Sequence, residues 1–98
     1  MAPLAVDAYL VDVLMRDLVA HDRSPSGFLV YLYLWRRTHA SSKESARISH
    51  QRLAEATGLS KSAVQAAVRN LVRRRLLRVQ RASPTAVPEY FVLKTWRG

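Results

Sequence analysis

Basic side chains that could bind a polyanion are concentrated in the second part of the chain. Residues 1–35 contain two basic and four acidic residues, whereas residues 36–98 contain fourteen basic and three acidic residues. The formal charges are therefore −2 and +11. The densest group of cations consists of Arg73, Arg74, Arg75, Arg78 and Arg81. This imbalance favours nucleic acid as a partner, although an arginine-rich surface alone would also produce it.

A pair of short helices leads into this group of arginines. Ser49 and Ser60 are predicted N-caps, because a serine hydroxyl at that position accepts a hydrogen bond from an early backbone amide. They predict helices over residues 50–56 and 60–75. Gly58 lies between them and is the residue type that most readily adopts a positive φ. The spacing predicts two helices joined by a tight turn.

The second of these helices is amphipathic. Val64, Val68 and Leu71 recur at helical spacing and are predicted to face the core with Ala67. The opposite face then carries Ser62, Gln65, Ala66, Arg69 and Arg73. An ordinary solvated helix face mixes acidic and basic residues, whereas this one has no acidic residue.

Two further helices are predicted upstream. Residues 4–22 have helical apolar spacing, and Ser24 with Pro25 is a typical helix start, from which a second helix would end near Ala40. The apolar run at residues 28–35 lies in this second helix. Its strand-forming composition would also suit a buried β-strand, but the cap and the lack of alternation favour a helix.

Three short strands complete the predicted fold. Arg47 and Ile48 form one brief pairing, and residues 76–81 and 89–95 form two strands around a proline-containing loop at residues 82–88. The sequence therefore predicts a mainly α fold with a small β-hairpin, an α+β class. The order is helix, helix, strand, helix, helix, strand, loop, strand.

The span from Pro25 to Thr95 resembles the winged helix-turn-helix domain of small bacterial transcription regulators and plasmid replication initiators. It covers about three quarters of the chain. The residues that carry the resemblance are Leu53, Ala54, Gly58, Leu59, Ser60 and Val64, followed by the strand–loop–strand. The resemblance implies that the helix at residues 60–75 enters the major groove of double-stranded DNA, and that the loop at residues 82–88 is the wing.

Base contacts are expected from the start and the open face of this helix. The candidates are Ser60, Lys61, Ser62, Gln65 and Arg69. Glutamine can bond to adenine N6 and N7, and arginine to guanine O6 and N7. Gln65 and Arg69 are therefore the residues expected to distinguish one DNA sequence from another.

Phosphate contacts are expected around this helix. The candidates are Ser49, His50, Gln51, Arg73, Arg74, Arg78, Arg81, Ser83 and Thr85. The wing carries no Lys or Arg at its tip, unlike wings that insert an arginine into the minor groove. Its contribution to binding is therefore expected to be smaller.

The N-terminal segment, residues 1–23, is a candidate dimerisation element attached to the domain at residues 24–98. A helical wheel places one apolar stripe at Leu4, Leu10, Val11, Leu14, Met15 and Leu18. A second, narrower stripe contains Val6, Tyr9 and Val13, together with Ala20. Two stripes indicate two packing partners, and the second is expected to be another copy of the chain. The alternative is that one small domain covers both stripes.

Other kinds of chemistry find little support in the sequence. The chain has no cysteine, and His21, His39 and His50 lack the spacing of a helical metal site. No phosphate-binding loop, dinucleotide-binding turn or catalytic triad pattern is present. No apolar run approaches the ~20 residues that span a bilayer. We therefore expect no enzyme activity, no cofactor, no metal and no membrane partner, and a cytoplasmic location.

The expected function is sequence-specific binding of double-stranded DNA, as a homodimer that regulates transcription. The transcriptional role rests on the resemblance rather than on any one residue. A replication or partition factor of a plasmid or phage would use the same fold. A winged helix that binds only an acidic protein is the third alternative, since one fold hosts many functions.

Overall fold

The computed structural model describes residues 2–97 and shows a mixed α/β fold. The helices are an N-terminal helix (residues 8–21), α1 (Pro25–Arg37), α2 (His50–Thr57) and α3 (Lys61–Arg73). The strands are β1 (Ala46–Arg47), β2 (Leu77–Gln80) and β3 (Glu89–Val92). Short 3₁₀ turns lie at His39–Ser41 and Thr95–Arg97. The predicted combination of helices with a small sheet is confirmed.

The sheet is antiparallel, with β3 between β1 and β2. Ala46 lies opposite Tyr90, and Leu77 lies opposite Val92. Tyr90, Val92 and Leu77 are buried, so this face of the sheet covers the core. Alternate residues of a strand point to opposite faces, and the face that carries Arg78 therefore points away from the core.

The apolar run at residues 28–35 is helical, as the capping residues predict. The Oγ atom of Ser24 accepts a hydrogen bond from the backbone amide of Gly27 at 3.1 Å. The helix ends at Arg37 rather than near Ala40, because Thr38 leaves the helical backbone conformation. The fully buried side chains of α1 include Val30, Tyr31 and Leu34.

The N-terminal helix differs from its prediction in two ways. It begins at residue 8 rather than residue 4, and two of its segments have hydrogen bonds from i to i+5. The buried residues are Leu10, Leu14 and Leu18, whereas Leu4, Val11, Met15 and Val19 are exposed. A helix with such bonds has more residues per turn than the 3.6 that the wheel assumed. The apolar stripe that was predicted to face the core therefore divides into buried and exposed residues.

Helix α1 is the central element on which the others rest. It contacts the N-terminal helix, α2, α3 and β3. The hydroxyl of Tyr31 donates to the carbonyl of Leu93 at 2.9 Å, and the indole Nε1 of Trp35 donates to the carbonyl of Ala5 at 2.9 Å. These bonds fasten segments from both ends of the chain to α1. The inner face of α3 lies on the same support, which leaves its outer face free.

Candidate nucleic-acid interface

The turn between α2 and α3 forms as its residues predict. Ser49 caps α2 by accepting from the amide of Arg52, and Ser60 caps α3 by accepting from the amide of Ala63, each at 3.1 Å. Gly58 has a φ of 77°, and a Cβ added there would meet nothing within 4 Å. Its requirement for glycine is therefore conformational rather than a matter of space.

Helix α3 separates its residues as the amphipathic pattern predicts. Val64, Ala67, Val68 and Leu71 are buried. The exposed side chains of α3 are Lys61, Ser62, Gln65, Ala66, Arg69, Val72 and Arg73, and the capping residue Ser60 is also exposed. The structure therefore brings the five residues predicted to contact bases onto one continuous exposed surface of α3 and its cap.

Lys61 and Arg69 are the open cations of this surface. Within residues 2–97, neither side chain is in an ion pair or a hydrogen bond. Each can therefore approach an anion without first giving up an internal partner. A guanidinium offers a planar set of five donors, whereas an ammonium is a compact charge on a flexible stem.

The arginines at the other end of α3 have internal partners. Arg73 donates to the side-chain oxygen of Asn70. Arg74 forms an ion pair with Asp22 at 3.0 Å, and Asn70 donates to the same carboxylate at 3.0 Å. The Asp22 side chain is 6% exposed. A phosphate would have to compete with this carboxylate for Arg74.

Burial and hydrogen bonding oppose one another at Asp22. Burial raises its pKa, but hydrogen bonds from His21 and Asn70 and the charges of Arg74 and His21 outweigh burial. The net result is a lowered pKa. Asp22 therefore joins the end of the N-terminal helix to the end of α3 as a carboxylate.

Arg78 lies within β2 and Arg81 directly follows it, and their surroundings differ from those of the other arginines. The guanidinium carbon of Arg78 lies 3.9 Å from the centroid of the Phe91 ring, on the outer face of the sheet. Arg81 donates to the carbonyl of Pro84 at 3.3 Å, within the exposed loop that follows β2. The arginines that are dense in the sequence are thus distributed over several surfaces.

Two depressions lie beside α3. The α3 groove, about 610 Å³, runs between α3 and β2 and is lined by His50, Gln65, Arg69, Val72, Val79 and Arg81, among others. The wing cleft, about 250 Å³, is lined by Ser49, His50, Gln51, Lys61, Arg81 and Thr85, among others. Of the residues predicted to contact phosphate, five therefore meet in one cleft. Ser83 lies at the exposed tip of the loop and bonds weakly to Thr85 at 3.5 Å.

His50 lies at the border of the two depressions. Its Nε2 atom is buried and has no hydrogen-bond partner among the described residues. Burial lowers its pKa, and the positive charges of Arg81 and Lys61 lower it further. The burial of the ring and the nearby cations Arg81 and Lys61 both favour its neutral form.

Comparison with known families shows that residues 8–92 match the family described as bacteriophage replication protein O. The chain belongs to this family. Searches of curated proteins and of solved structures gave no significant match. The matched span in this replication protein O family member includes α1 to β3 and therefore both depressions.

The residues predicted for a dimer contact lie partly against the chain's own core. Val6 and Tyr9 are half-buried beside the core cluster, and Val13 is half-buried on the N-terminal helix. The Tyr9 ring stacks on Trp96, with 4.6 Å between centroids and an angle of 10° between the ring planes. That these residues also contact a second copy stays a prediction.

Some residues of this surface were not identified from the sequence. Val72 is 43% exposed and lines the α3 groove, and Asn70 is a buried amide beneath Arg73. Asp22 is separated from Arg74 by 52 positions, so no local pattern links them. A polar Asn70 next to the inward-facing Leu71 was the one available signal.

Neither a metal cluster nor a membrane-spanning helix is found in the part of the chain that the structure describes. No three His, Cys, Asp or Glu side chains are grouped to hold a metal ion in residues 2–97. No helix in that range is long and apolar enough to cross a bilayer.

Proposed function

We propose that this member of the replication protein O family binds double-stranded DNA sequence-specifically during phage DNA replication. In this proposal α2 and α3 form a helix-turn-helix, α3 is the recognition helix, and residues 82–88 are the wing. The observation that carries it is the outer face of α3, which is exposed and free of carboxylates. The family supports the replication alternative. It gives no support to transcription regulation, the first expectation from the sequence.

The dimensions of α3 suit the major groove. Its thirteen residues correspond to about 20 Å of helix. The major groove of B-DNA is about 12 Å wide and accepts an α-helix. Recognition helices contact base edges with their N-terminal residues, where Lys61 and Ser62 are exposed.

Gln65 and Arg69 are proposed to supply sequence discrimination. They are four residues apart and therefore lie on the same side of α3, about one turn from each other. In the major groove, Gln65 would bond to adenine and Arg69 to guanine. Each bidentate contact contributes about 1–3 kcal/mol of discrimination against a wrong base.

Backbone contacts are proposed for the wing cleft beside α3. Ser49, Gln51 and Thr85 offer neutral hydrogen bonds there, and Lys61 and Arg81 offer charge. Such contacts fix the register of a protein on the duplex without reading its sequence. The wing itself presents short polar side chains, which suits a contact to the adjacent backbone.

A homodimer through the N-terminal helix is part of this proposal. Val11, Met15 and Val19 are exposed apolar residues at intervals of four on that helix, and they form an apolar stripe on a different side of it from the predicted contact residue Val13. Met15→Asp should therefore give a monomer that remains folded. Light scattering on the wild type and the variant measures this. A wild-type mass that equals one chain would remove the dimer from the proposal.

Selection of bound sequences from a random duplex library tests DNA binding and its specificity together. We expect a preferred sequence that contains adenine and guanine positions within one major-groove face. Sites that map to repeats in a phage origin would support replication, whereas promoter palindromes would support transcription. Absence of duplex binding even at low salt would contradict the proposal and favour a protein-interaction module.

Salt dependence tests the phosphate contacts separately. Neutralisation of about 5–8 phosphates per dimer predicts that log K falls by about 0.9 per contact for each unit of log salt concentration. A titration over potassium chloride concentration measures this slope. A flat response would contradict the assigned phosphate contacts.

A further inference from the structure

One residue that lines the wing cleft has a polar side-chain atom that the folded chain does not satisfy. His50, at the first position of α2, has a buried Nε2 atom without a hydrogen-bond partner among residues 2–97. Buried polar atoms of folded proteins are nearly always paired, so an unpaired one points to a missing partner. The same cleft is lined by Lys61 and Arg81.

The charges around His50 are all of one sign. The charged groups that line the two depressions with His50 are Lys61, Arg69 and Arg73 from α3, and Arg81 at the end of β2. Among residues 2–97, no acidic side chain lines either depression. Burial raises the pKa of Tyr90 to about 12, although the charge of Arg81 lowers it, so Tyr90 stays neutral between pH 5 and 8. An anion is the ligand that this arrangement lacks.

We propose that the wing cleft binds one backbone phosphate of the DNA duplex, and that His50 takes up a proton from solvent when the phosphate binds. This inference rests on the proposed function. A bound phosphodiester brings one negative charge next to Lys61 and Arg81, and it offsets their repulsion of an imidazolium. The protonated ring has two N–H donors, and one of them can form a charge-assisted hydrogen bond to a phosphate oxygen. No covalent bond forms or breaks.

The proton uptake makes duplex affinity depend on pH. The pKa of free His50 is lowered by burial and by the charges of Arg81 and Lys61, so the unbound ring is neutral near pH 7. Linkage to one proton changes the binding constant by at most about tenfold per pH unit. We expect affinity at constant ionic strength to rise about 3–10-fold from pH 8 to pH 5.5.

Variants identify the titrating group. His50→Gln should remove most of the pH dependence, because glutamine can bond to phosphate but cannot titrate. His21→Gln is the matched control, since His21 is 78% exposed on the N-terminal helix and lines neither depression. It should keep the wild-type slope. Equal slopes in wild type and His50→Gln would overturn the inference.

An NMR titration of the histidine ring protons gives an independent readout. We expect the pKa of His50 to rise on addition of duplex in buffer free of inorganic phosphate. If His50→Gln does not fold, Arg81→Gln should reduce the rise, because it removes one of the two cations that lower the pKa in the free protein. A DNA complex that leaves the His50 pKa unchanged would contradict the inference.

Three further outcomes separate this inference from others. If inorganic phosphate alone shifts the His50 titration as much as duplex does, the cleft binds free phosphate and its assignment to the DNA backbone is wrong. If no duplex binds at any pH, the proposed function itself fails. If duplex binds without a His50-dependent slope, only the proton uptake fails.

Discussion

The outer face of α3 and the residue that follows its last turn carry similar side chains in different surroundings. On the outer face of α3, Lys61, Gln65 and Arg69 are exposed and have no internal partner within the described residues. Near its end, Arg74 is paired with Asp22, whose side chain is 6% exposed. Arginines five positions apart in the sequence therefore have different surroundings.

The energetic difference follows from burial. Removal of an exposed cation changes the free energy of unfolding little, because water already solvates its charge. A partner removed from a buried carboxylate leaves an uncompensated charge in a poorly solvated site. Substitutions on the exposed outer face of α3 should therefore change DNA binding, whereas substitution of Arg74 should change stability.

The largest effect is expected from Arg74, which follows the last residue of α3. Arg74→Ala leaves the Asp22 carboxylate without its cation, with only His21 and Asn70 as hydrogen-bond partners. We expect a loss of about 2–3 kcal/mol of unfolding free energy. For a chain of this size, that is a fall in Tm of about 10–20 °C. Thermal unfolding followed by circular dichroism measures it, and an unchanged Tm would show that the two surroundings do not differ in their effect on stability.

A substitution on the exposed outer face of α3 should give the converse result. Arg69→Ala is expected to weaken binding to the selected duplex by about 1–3 kcal/mol. The difference in affinity between the selected duplex and a random duplex should therefore become smaller. Its unfolding free energy should stay within about 0.5 kcal/mol of the wild type, because the side chain is exposed. Fluorescence anisotropy with both duplexes checks this. A destabilised protein with undiminished discrimination would reverse the assignment.

Local signals account for the part of the site that was predicted from sequence. The serine caps, the glycine turn and the apolar spacing of α3 act over a few residues, and the structure agrees with each of them. The pairing of Asp22 with Arg74 joins positions far apart in sequence, so it depends on how the N-terminal helix packs. The bonding of that helix also changed which residues are buried, and periodicity at 3.6 residues per turn could not predict this.

A smaller effect is expected from acid. The pKa of Asp22 is lowered in the folded state, so its contribution to stability is complete above its unfolded value near 4. The contribution is lost as pH falls through the lower folded value. Asp22→Asn should therefore flatten the acid side of the stability–pH curve. Asp12→Asn, an exposed aspartate on the same helix, is the control and should keep the wild-type curve.

The smallest effects are expected at the turns that flank α3. Gly58 and Arg75 have φ values of 77° and 57°, a region that favours glycine. Gly58→Ala should cost about 1 kcal/mol, whereas Arg75→Gly should stabilise by less than about 1 kcal/mol. Denaturant unfolding measures both. Changes of the same sign would show that backbone conformation does not control these positions.

The most direct test of the central claim is to locate α3 on bound DNA. The natural chain has no cysteine, so Ser62→Cys on α3 and Ala8→Cys at the start of the N-terminal helix each provide one attachment point for an iron chelate that cleaves DNA. Cleavage centred on the selected site from position 62, and none above background from position 8, is the predicted result. Cleavage from position 8 with none from position 62 would contradict the placement of α3 in the groove.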